Sequence, residues 1–372
     1  MVEHPTGAPG VPIVHVLGTR PNFVKAAPVV AALARAGQRQ RLVHTGQHYD
    51  PALSEVFFAE LGLPRPEVNL AAGSGSHAAQ TAALLVGLEQ EFLAVPPRVA
   101  LVYGDVNSTL AAALVAAKLR LPLAHVEAGL RSFDRSMPEE INRRVTDVLA
   151  DLHFVTSPEA IAHLAAEGVD PKRIHLVGNP MIDTLLANLE RLDPAAARAE
   201  VGLPERYAVA TVHRPSNVDD PASARRLVGA LHDVARTIHV VIPLHPRGRA
   251  ALAEKGLTSG RRLRVLPPMG YRAFLSLVRG AALVVTDSGG LQEEATVLGV
   301  PCLTVRPNTE RPVTLTHGTN ELVTPEGLAA RAAEIMRGDG GRVTAGERPP
   351  LWDGRAGERI AEILRDWLAV HA

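Results

Sequence analysis

Apolar residues recur along this chain of 372 residues in short β-branched blocks, separated by longer stretches whose apolar positions have helical spacing. The first blocks are residues 11–17, 41–45, 98–103, 122–126 and 152–156. Compact apolar blocks bounded by polar turns suit strands buried on both faces, and the helical stretches between them supply the crossovers of a parallel sheet. A second series begins at 174–177 and continues at 208–212, 239–244, 263–266, 283–286 and 302–305. The pattern predicts an α/β protein of two Rossmann-like domains, residues 1–169 and 170–354, with a hinge near 168–172. Open sheets of this kind take ligands at the carboxyl ends of their strands, so the two domains are expected to face one another across a cleft. Near the end, Ile360, Ile363, Leu364, Trp367 and Leu368 lie at helical spacing and need an apolar surface to cover. The Gly-, Arg- and Pro-rich stretch 338–350 before them reads as a flexible connection.

Composition narrows the function. The length asks for two cores, and no apolar run reaches the roughly 18 residues of a membrane span. Lys plus Arg and Asp plus Glu are 39 each, and aromatic residues make up 3%. Neither a global positive field nor a base-stacking platform is available, so nucleic acid and membrane are not expected partners. With no leader pattern at Met1, a cytoplasmic location is expected. Cys302 is the single cysteine and lies in an apolar run, which makes it a buried structural thiol and excludes disulfides within the chain.

The polar residues that follow the strands carry the candidate chemistry. Gly18-Thr19-Arg20-Pro21 combines a glycine turn, a helix amino end and an arginine, a good site for an anion. Thr45-Gly46-Gln47-His48 ends the next strand with hydrogen-bonding side chains. Gly73-Ser74-Gly75-Ser76-His77-Ala78 fits a dinucleotide fingerprint but follows two strands, whereas that fingerprint opens the first βα unit, so nicotinamide is not expected. Gly104-Asp105-Val106-Asn107-Ser108 puts a carboxylate at a strand end, with Asn107 or Ser108 able to cap the next helix. His125 to Arg131 brackets a glycine turn between Glu127 and Arg131. Pro138-Glu139-Glu140 opens a helix with two glutamates, and Asp105, Glu127 and one of these could converge for proton transfer.

In the second half, Thr211-Val212-His213-Arg214 and Leu244-His245-Pro246-Arg247 each set a histidine beside an arginine, as diphosphate contacts would require. No close ligand pair for a metal occurs. Thr286-Asp287-Ser288-Gly289-Gly290-Leu291-Gln292-Glu293-Glu294 runs from a strand through bare backbone into a helix, a site for phosphate, with Glu294 one turn on for ribose hydroxyls. Thr309-Glu310-Arg311-Pro312 adds polar groups after the next strand.

Taken in order, these motifs resemble the non-hydrolysing UDP-N-acetylglucosamine 2-epimerases over nearly the whole chain. The resemblance implies a fold of the glycosyltransferase-B type, with the final helix, 355–372, returning to the first domain. It implies C2 proton abstraction, anti elimination of UDP to 2-acetamidoglucal and re-addition, with no cofactor and no metal. By the same resemblance, Asp105, Glu127, Glu139 and His213 are catalytic. Arg20, Lys25, His213, Ser288, Gly289, Gly290 and Glu294 hold the nucleotide, while Arg131, Asn142, Arg143, His245, Thr309, Glu310 and Arg311 are further UDP-sugar contacts. A homodimer and a part in cell-envelope polysaccharide synthesis are implied as well. The chain departs from the pattern at Asn22 and Val313, where many members carry glutamate, and in a shorter stretch between Arg131 and Pro138. It also lacks, at 73–77, the charge that some members use to bind a second substrate as activator.

The nearest alternative is a same-fold 2-epimerase acting on a UDP-diacetamido uronic acid, with Arg135 or Arg247 as an extra cationic contact. A hydrolysing epimerase would differ only in letting water capture the glycal. A glycosyltransferase of the same fold would need an acceptor groove and would have no use for three carboxylates near the sugar. A nucleotide-sugar sensor would have no reason to keep all three.

Overall fold

The apolar blocks of the first half form a parallel sheet of β1 (Ile13–Leu17), β2 (Gln40–His44), β3 (Val68–Asn69), β4 (Val99–Tyr103), β5 (Leu123–Ala128), β6 (Leu152–Val155) and β7 (Ile174–Leu176), in the order β3-β2-β1-β4-β5-β6-β7. These assignments come from a computed structural model, in which residues 10–46, 57–73, 75–244, 246–338 and 348–371 are described. The central strands are apolar almost throughout because helices cover both faces. His15 is tolerated in the middle of β1 because its ring is satisfied on both sides, by the Tyr103 hydroxyl at 2.7 Å and Gln40 Oε1 at 2.9 Å. Burial pushes its pKa down to about 4, so it stays neutral.

The second sheet repeats the plan with β8 (Tyr207–Thr211), β9 (His239–Pro243), β10 (Leu263–Leu266), β11 (Leu283–Thr286), β12 (Cys302–Val305) and β13 (Asn320–Val323), ordered β10-β9-β8-β11-β12-β13. Each sheet therefore grows outward in one direction from its first strand and then returns to grow in the other. The reversals fall between β1 and β4 and between β8 and β11, the points at which such sheets bind ligands. Cys302 is buried in β12, and burial pushes its thiol up to about 12, as befits a structural residue.

Two details differ from the sequence reading. The block at 174–177 does not open the second sheet; β7 pairs with β6, with Ile174 opposite His153. The chain accordingly divides into Met1–Ala187 with Pro350–Ala372, and Asn188–Pro349, rather than at residue 169. A three-residue apolar strand does not name its own sheet; the crossover through the helix Pro158–Ala166 does, by carrying the chain back beside β6. The edge strands β3 and β13 escaped notice, one because it is two residues long and the other because Asn320 and Glu321 break its apolar run.

The last helix, Ala356–Val370, packs on Arg20–Arg35 within the first unit. Gly357 lies so close that a Cβ there would meet the Pro28 carbonyl at 2.6 Å. Asp183 fixes the start of the helix by accepting from the Gly357 N–H at 2.7 Å, and Trp352 anchors the approach by donating to the Thr156 carbonyl at 2.9 Å. Burial lifts the Asp183 pKa to about 6. Most of the connection expected at 338–350 lies outside the described residues.

Candidate active site

At the reversal of the first sheet, Asn22 ties β1 to β4. Its Oδ1 accepts from the backbone N–H groups of Gly18 (3.1 Å) and Thr19 (3.0 Å), and its Nδ2 donates to the Tyr103 carbonyl at 2.8 Å. An amide can do both; a carboxylate could not donate the last bond. The Arg20 guanidinium lies over the Phe57 ring, 5.1 Å from its centre. Lys25 is buried and ion-paired with Glu127. Gly104 keeps the turn after β4 bare at φ +64°, since a Cβ there would stand 3.0 Å from Lys25 Nζ.

Glu127 occupies a break in β5. Pairing with β6 slips between Val126 and Ala128, and Glu127 adopts φ +73°. A non-glycine residue held in the left-handed region costs on the order of 1 kcal/mol, and a bulge turns one side chain out of the strand alternation. Here the side chain so turned is a carboxylate, 4% exposed and aimed at Lys25.

Asp105 follows Gly104 at the end of β4, the neighbour of β5. The Arg143 guanidinium meets its carboxylate at 2.5 Å, and Asn142 Nδ2 donates to its carbonyl at 2.9 Å and to Asn107 Oδ1 at 3.1 Å. The capping expected of Asn107 or Ser108 is not made; both bond sideways instead, Asn107 to Gln80 and Ser108 to Thr45. Glu140 and Glu139 have separate tasks. Glu140 is buried and accepts from the Ser132 and Phe133 N–H groups and from Arg143 at 2.6 Å. Glu139 is partly exposed and has no hydrogen bond or ion pair among the described residues. It lies four residues before Arg143 on the same face of the helix Pro138–Leu149, one turn from the residue that grips Asp105.

Arg131, expected at the substrate, is committed elsewhere. Its guanidinium binds Asp147 at 2.7 Å and Glu167 at 2.9 and 2.6 Å, and it is 2% exposed. The Gly129 N–H donates to the same Asp147 oxygen at 3.1 Å, so the turn and the arginine share one counter-ion. Burial alone would raise the Asp147 pKa, but the His125 ring at 2.6 Å and Arg131 outweigh it and hold the carboxyl below its ordinary range.

The second unit carries a matching set. Asp287, at the end of β11 and fully buried, accepts from the backbone N–H groups of His213 and Arg214 and from Asn217 Nδ2 at 3.0–3.1 Å, and its Oδ1 meets His213 Nδ1 at 2.9 Å. Burial pushes the Asp287 carboxyl up, yet these donors overcome that and keep it low. Ser288 caps the helix Gly289–Leu298 through its backbone only, leaving its hydroxyl out of the cap. A Cβ on Gly289 would collide with the Arg311 guanidinium and stand 2.7 Å from Glu310 Oε1, so only glycine lets the arginine lie against the helix end.

Glu310, expected to contact the UDP-sugar, is instead the internal counter-ion of this cluster. It is 2% exposed and meets Arg306 at 2.6 Å, Arg311 at 2.5 Å and Arg214 at 3.4 Å. Burial works against its charge, but Arg311, Arg306 and Arg214 hold its pKa well below the usual carboxylate range. Arg311 also meets Glu293 at 2.9 Å, and Thr309 donates to Gln292 Oε1 at 2.7 Å. Glu294 accepts from the Tyr271 hydroxyl at 3.1 Å, and burial lifts its pKa to about 8. His245, Gln47, His48 and Ser74 lie outside the described residues.

Sequence reasoning read Arg214 only as a companion of His213 and passed over Asp287 and Arg306. Asp287 stood inside a motif already quoted, and a carboxylate directly before Ser-Gly-Gly at a strand end was the available signal. Arg306 had none, because only the fold brings it onto Glu310. Among the described residues no group of three or more His, Cys, Asp and Glu is placed to hold a metal ion, and no helix is long and apolar enough to cross a membrane.

The profile of the UDP-N-acetylglucosamine 2-epimerase family matches residues 31–365. A UDP-N-acetylglucosamine 2-epimerase of Methanocaldococcus jannaschii is 40% identical over 361 residues, covering 94% of this chain and 97% of its own. A UDP-2,3-diacetamido-2,3-dideoxy-D-glucuronate 2-epimerase of Pseudomonas aeruginosa is also 40% identical, over 360 residues, 95% of this chain and 99% of its own. The crystal structure of the M. jannaschii UDP-GlcNAc 2-epimerase in complex with UDP-GlcNAc and UDP superposes with a TM-score of 0.89 at 38% identity, covering 95% of this chain and 99% of that one. With its two parallel sheets of the glycosyltransferase-B type and a match along nearly its whole length, the chain belongs to the UDP-N-acetylglucosamine 2-epimerase family and is an isomerase.

Proposed function

We propose that this enzyme interconverts UDP-N-acetylglucosamine and UDP-N-acetylmannosamine through a glycal. The C2–H bond breaks to a carboxylate base, its electron pair forms the C1=C2 bond, and the C1–O pair leaves with UDP. Re-addition of UDP with protonation on the opposite face of C2 gives the epimer. The observation that carries this reading is that Asp105 and Glu127 lie at the ends of the neighbouring strands β4 and β5, with Arg143, four residues beyond Glu139 on its helix, ion-paired to Asp105. Glu127 is paired with Lys25, Asp105 with Arg143, and Glu139 has no such pair among the described residues. A reaction that removes a proton from one face and returns it to the other needs more than one carboxyl group, and three carboxylates that differ in their ion pairing suit it.

The second unit's set is assigned to the nucleotide. Ser288, Gly289 and Gly290 offer a helix amino end to diphosphate, Arg311 stands against it, Glu294 takes the ribose hydroxyls, and His213 meets the leaving oxygen. Arg20 and Lys25, the latter paired with Glu127, are assigned to the UDP-sugar as well. Arg131, Asn142, Arg143, Thr309 and Glu310 act as positioning residues behind these groups. The same reading places the enzyme in the cytoplasm as a homodimer supplying envelope polysaccharide synthesis. For dimerisation, Val86 and Leu93, 58% and 53% exposed and two turns apart on the helix His77–Ala94, offer an apolar stripe.

A second reading has equal footing in sequence identity: a UDP-diacetamido uronic acid as substrate, with exposed Arg135 as its extra cation. Proton NMR of purified enzyme with each sugar nucleotide in turn decides between them. The expected result is a mixture of UDP-N-acetylglucosamine and UDP-N-acetylmannosamine reached from either side; turnover of the uronic acid alone would transfer the assignment.

A further inference from the structure

His213 is held from beneath by a residue to which no role in the reaction has been assigned. The side chain of His213 is 63% exposed, yet its Nδ1 sits 2.9 Å from the fully buried Asp287, whose two oxygens also take the backbone N–H groups of His213 and Arg214. Asn217 Nδ2 adds a further bond to Asp287 Oδ2 at 3.1 Å, and Arg214 Nε donates to the Asp287 carbonyl at 3.0 Å. The strand ends that carry the two residues, β8 and β11, are neighbours at the reversal of the sheet, and Asp287 runs directly into Ser288 and the helix Gly289–Leu298. One carboxylate therefore fixes both the backbone and the ring of the histidine beside the turn assigned to diphosphate.

We propose that Asp287 is a positioning residue for the epimerisation, holding the Nδ1 proton of His213 inward so that Nε2 alone is presented to the leaving diphosphate oxygen. This rests on the epimerase reading above. An ionised carboxylate can only accept, so the ring must donate from Nδ1. In the neutral form Nε2 is then a lone pair, and in the protonated form it is a donor whose charge Asp287 balances. The second form stabilises the oxygen that departs from C1, and the first can take that proton back when UDP returns. Charged groups beside the pair among the described residues include Arg214, which bonds the Asp287 carbonyl, and Glu310, which Arg214 meets at 3.4 Å. Their pairing leaves His213 as the one titratable side chain bonded to the Asp287 carboxylate among the described residues.

The test is a double-mutant cycle of Asp287→Asn and His213→Ala, read as kcat, KM and UDP affinity by calorimetry. Asp287→Asn alone is expected to lower kcat by about 10²–10⁴-fold, as loss of an acid–base group or of its correct tautomer does, and to move the basic limb of the pH–rate profile to lower pH. UDP affinity is expected to stay within about threefold, and in the His213→Ala background the second change is expected to cost less than about threefold more. Equal losses in both backgrounds, or a fall in UDP affinity matching that in kcat, would make Asp287 merely structural and overturn the proposal. Should Asp287→Asn not fold, 15N NMR of the wild-type histidines still decides, because a neutral His213 ring protonated at Nε2 contradicts it. Wild-type enzyme runs alongside: no turnover there removes the epimerase reading, whereas additive losses with an active wild type remove only the role of Asp287.

Discussion

Replacing Glu294 with glutamine should make the second unit more stable at pH 8 and leave it nearly unchanged at pH 5. Burial raises the Glu294 pKa from 4.5 to about 8, so between those values the folded protein keeps a proton that the unfolded chain gives up. The sign follows: the contribution of Glu294 to stability is complete below pH 4.5, is lost as pH rises through the window, and levels off above 8. The slope for one such group is about 1.4 kcal/mol per pH unit, so three units between pH 5 and 8 amount to about 4 kcal/mol. Glutamine mimics the protonated acid, can still accept from the Tyr271 hydroxyl, and does not titrate. Differential scanning calorimetry of both proteins at the two pH values gives the comparison, with the variant's advantage in Tm growing to about 10 °C at pH 8. An advantage of the same size at pH 5 and pH 8 would refute the reasoning, since it would have to come from packing rather than from a proton.

The two adjacent glutamates of the helix Pro138–Leu149 should fail in different ways. Glu139→Gln is expected to lower kcat by about 10²-fold or more with urea stability within about 0.5 kcal/mol of wild type. Glu140→Gln, which leaves the buried Arg143 short of one charge, is expected to cost about 3 kcal/mol of stability; the reverse pattern would exchange their assigned roles. Gly289→Ala drives a methyl into Arg311 and Glu310, and UDP binding by calorimetry should weaken by about tenfold, with unchanged binding arguing against diphosphate at this helix end.

The alternation of apolar blocks was enough to read two parallel sheets, because strands buried on both faces cannot hide their composition. It was not enough to assign β7, whose Ile174-His175-Leu176 would fit either sheet, nor to see β13, where Asn320 turns inward to Thr304 and Gln292 at 2.6 and 3.0 Å. The turns that carry candidate chemistry were placed correctly in the chain: Gly104-Asp105 follows β4, and Ser288-Gly289 opens a helix after β11. The site was not legible where function depends on which polar group is used up. Glu139 and Glu140 look alike in sequence, and only Ser132 and Arg143 tell them apart. Arg131 and Glu310 were read as ligand contacts for the same reason; a charge at a strand end says nothing about the partner that folding will bring to it.

The central claim is that the carboxylates at the ends of β4 and β5 and in the first turn of the helix Pro138–Leu149 exchange the proton at C2. NMR of the enzyme with UDP-N-acetylglucosamine in deuterium oxide tests it most directly. The account predicts that the C2 proton signal is replaced by deuterium in both UDP-N-acetylglucosamine and UDP-N-acetylmannosamine as they approach equilibrium. Epimer formed with its C2 proton retained, or substrate left unlabelled and unchanged, would contradict it.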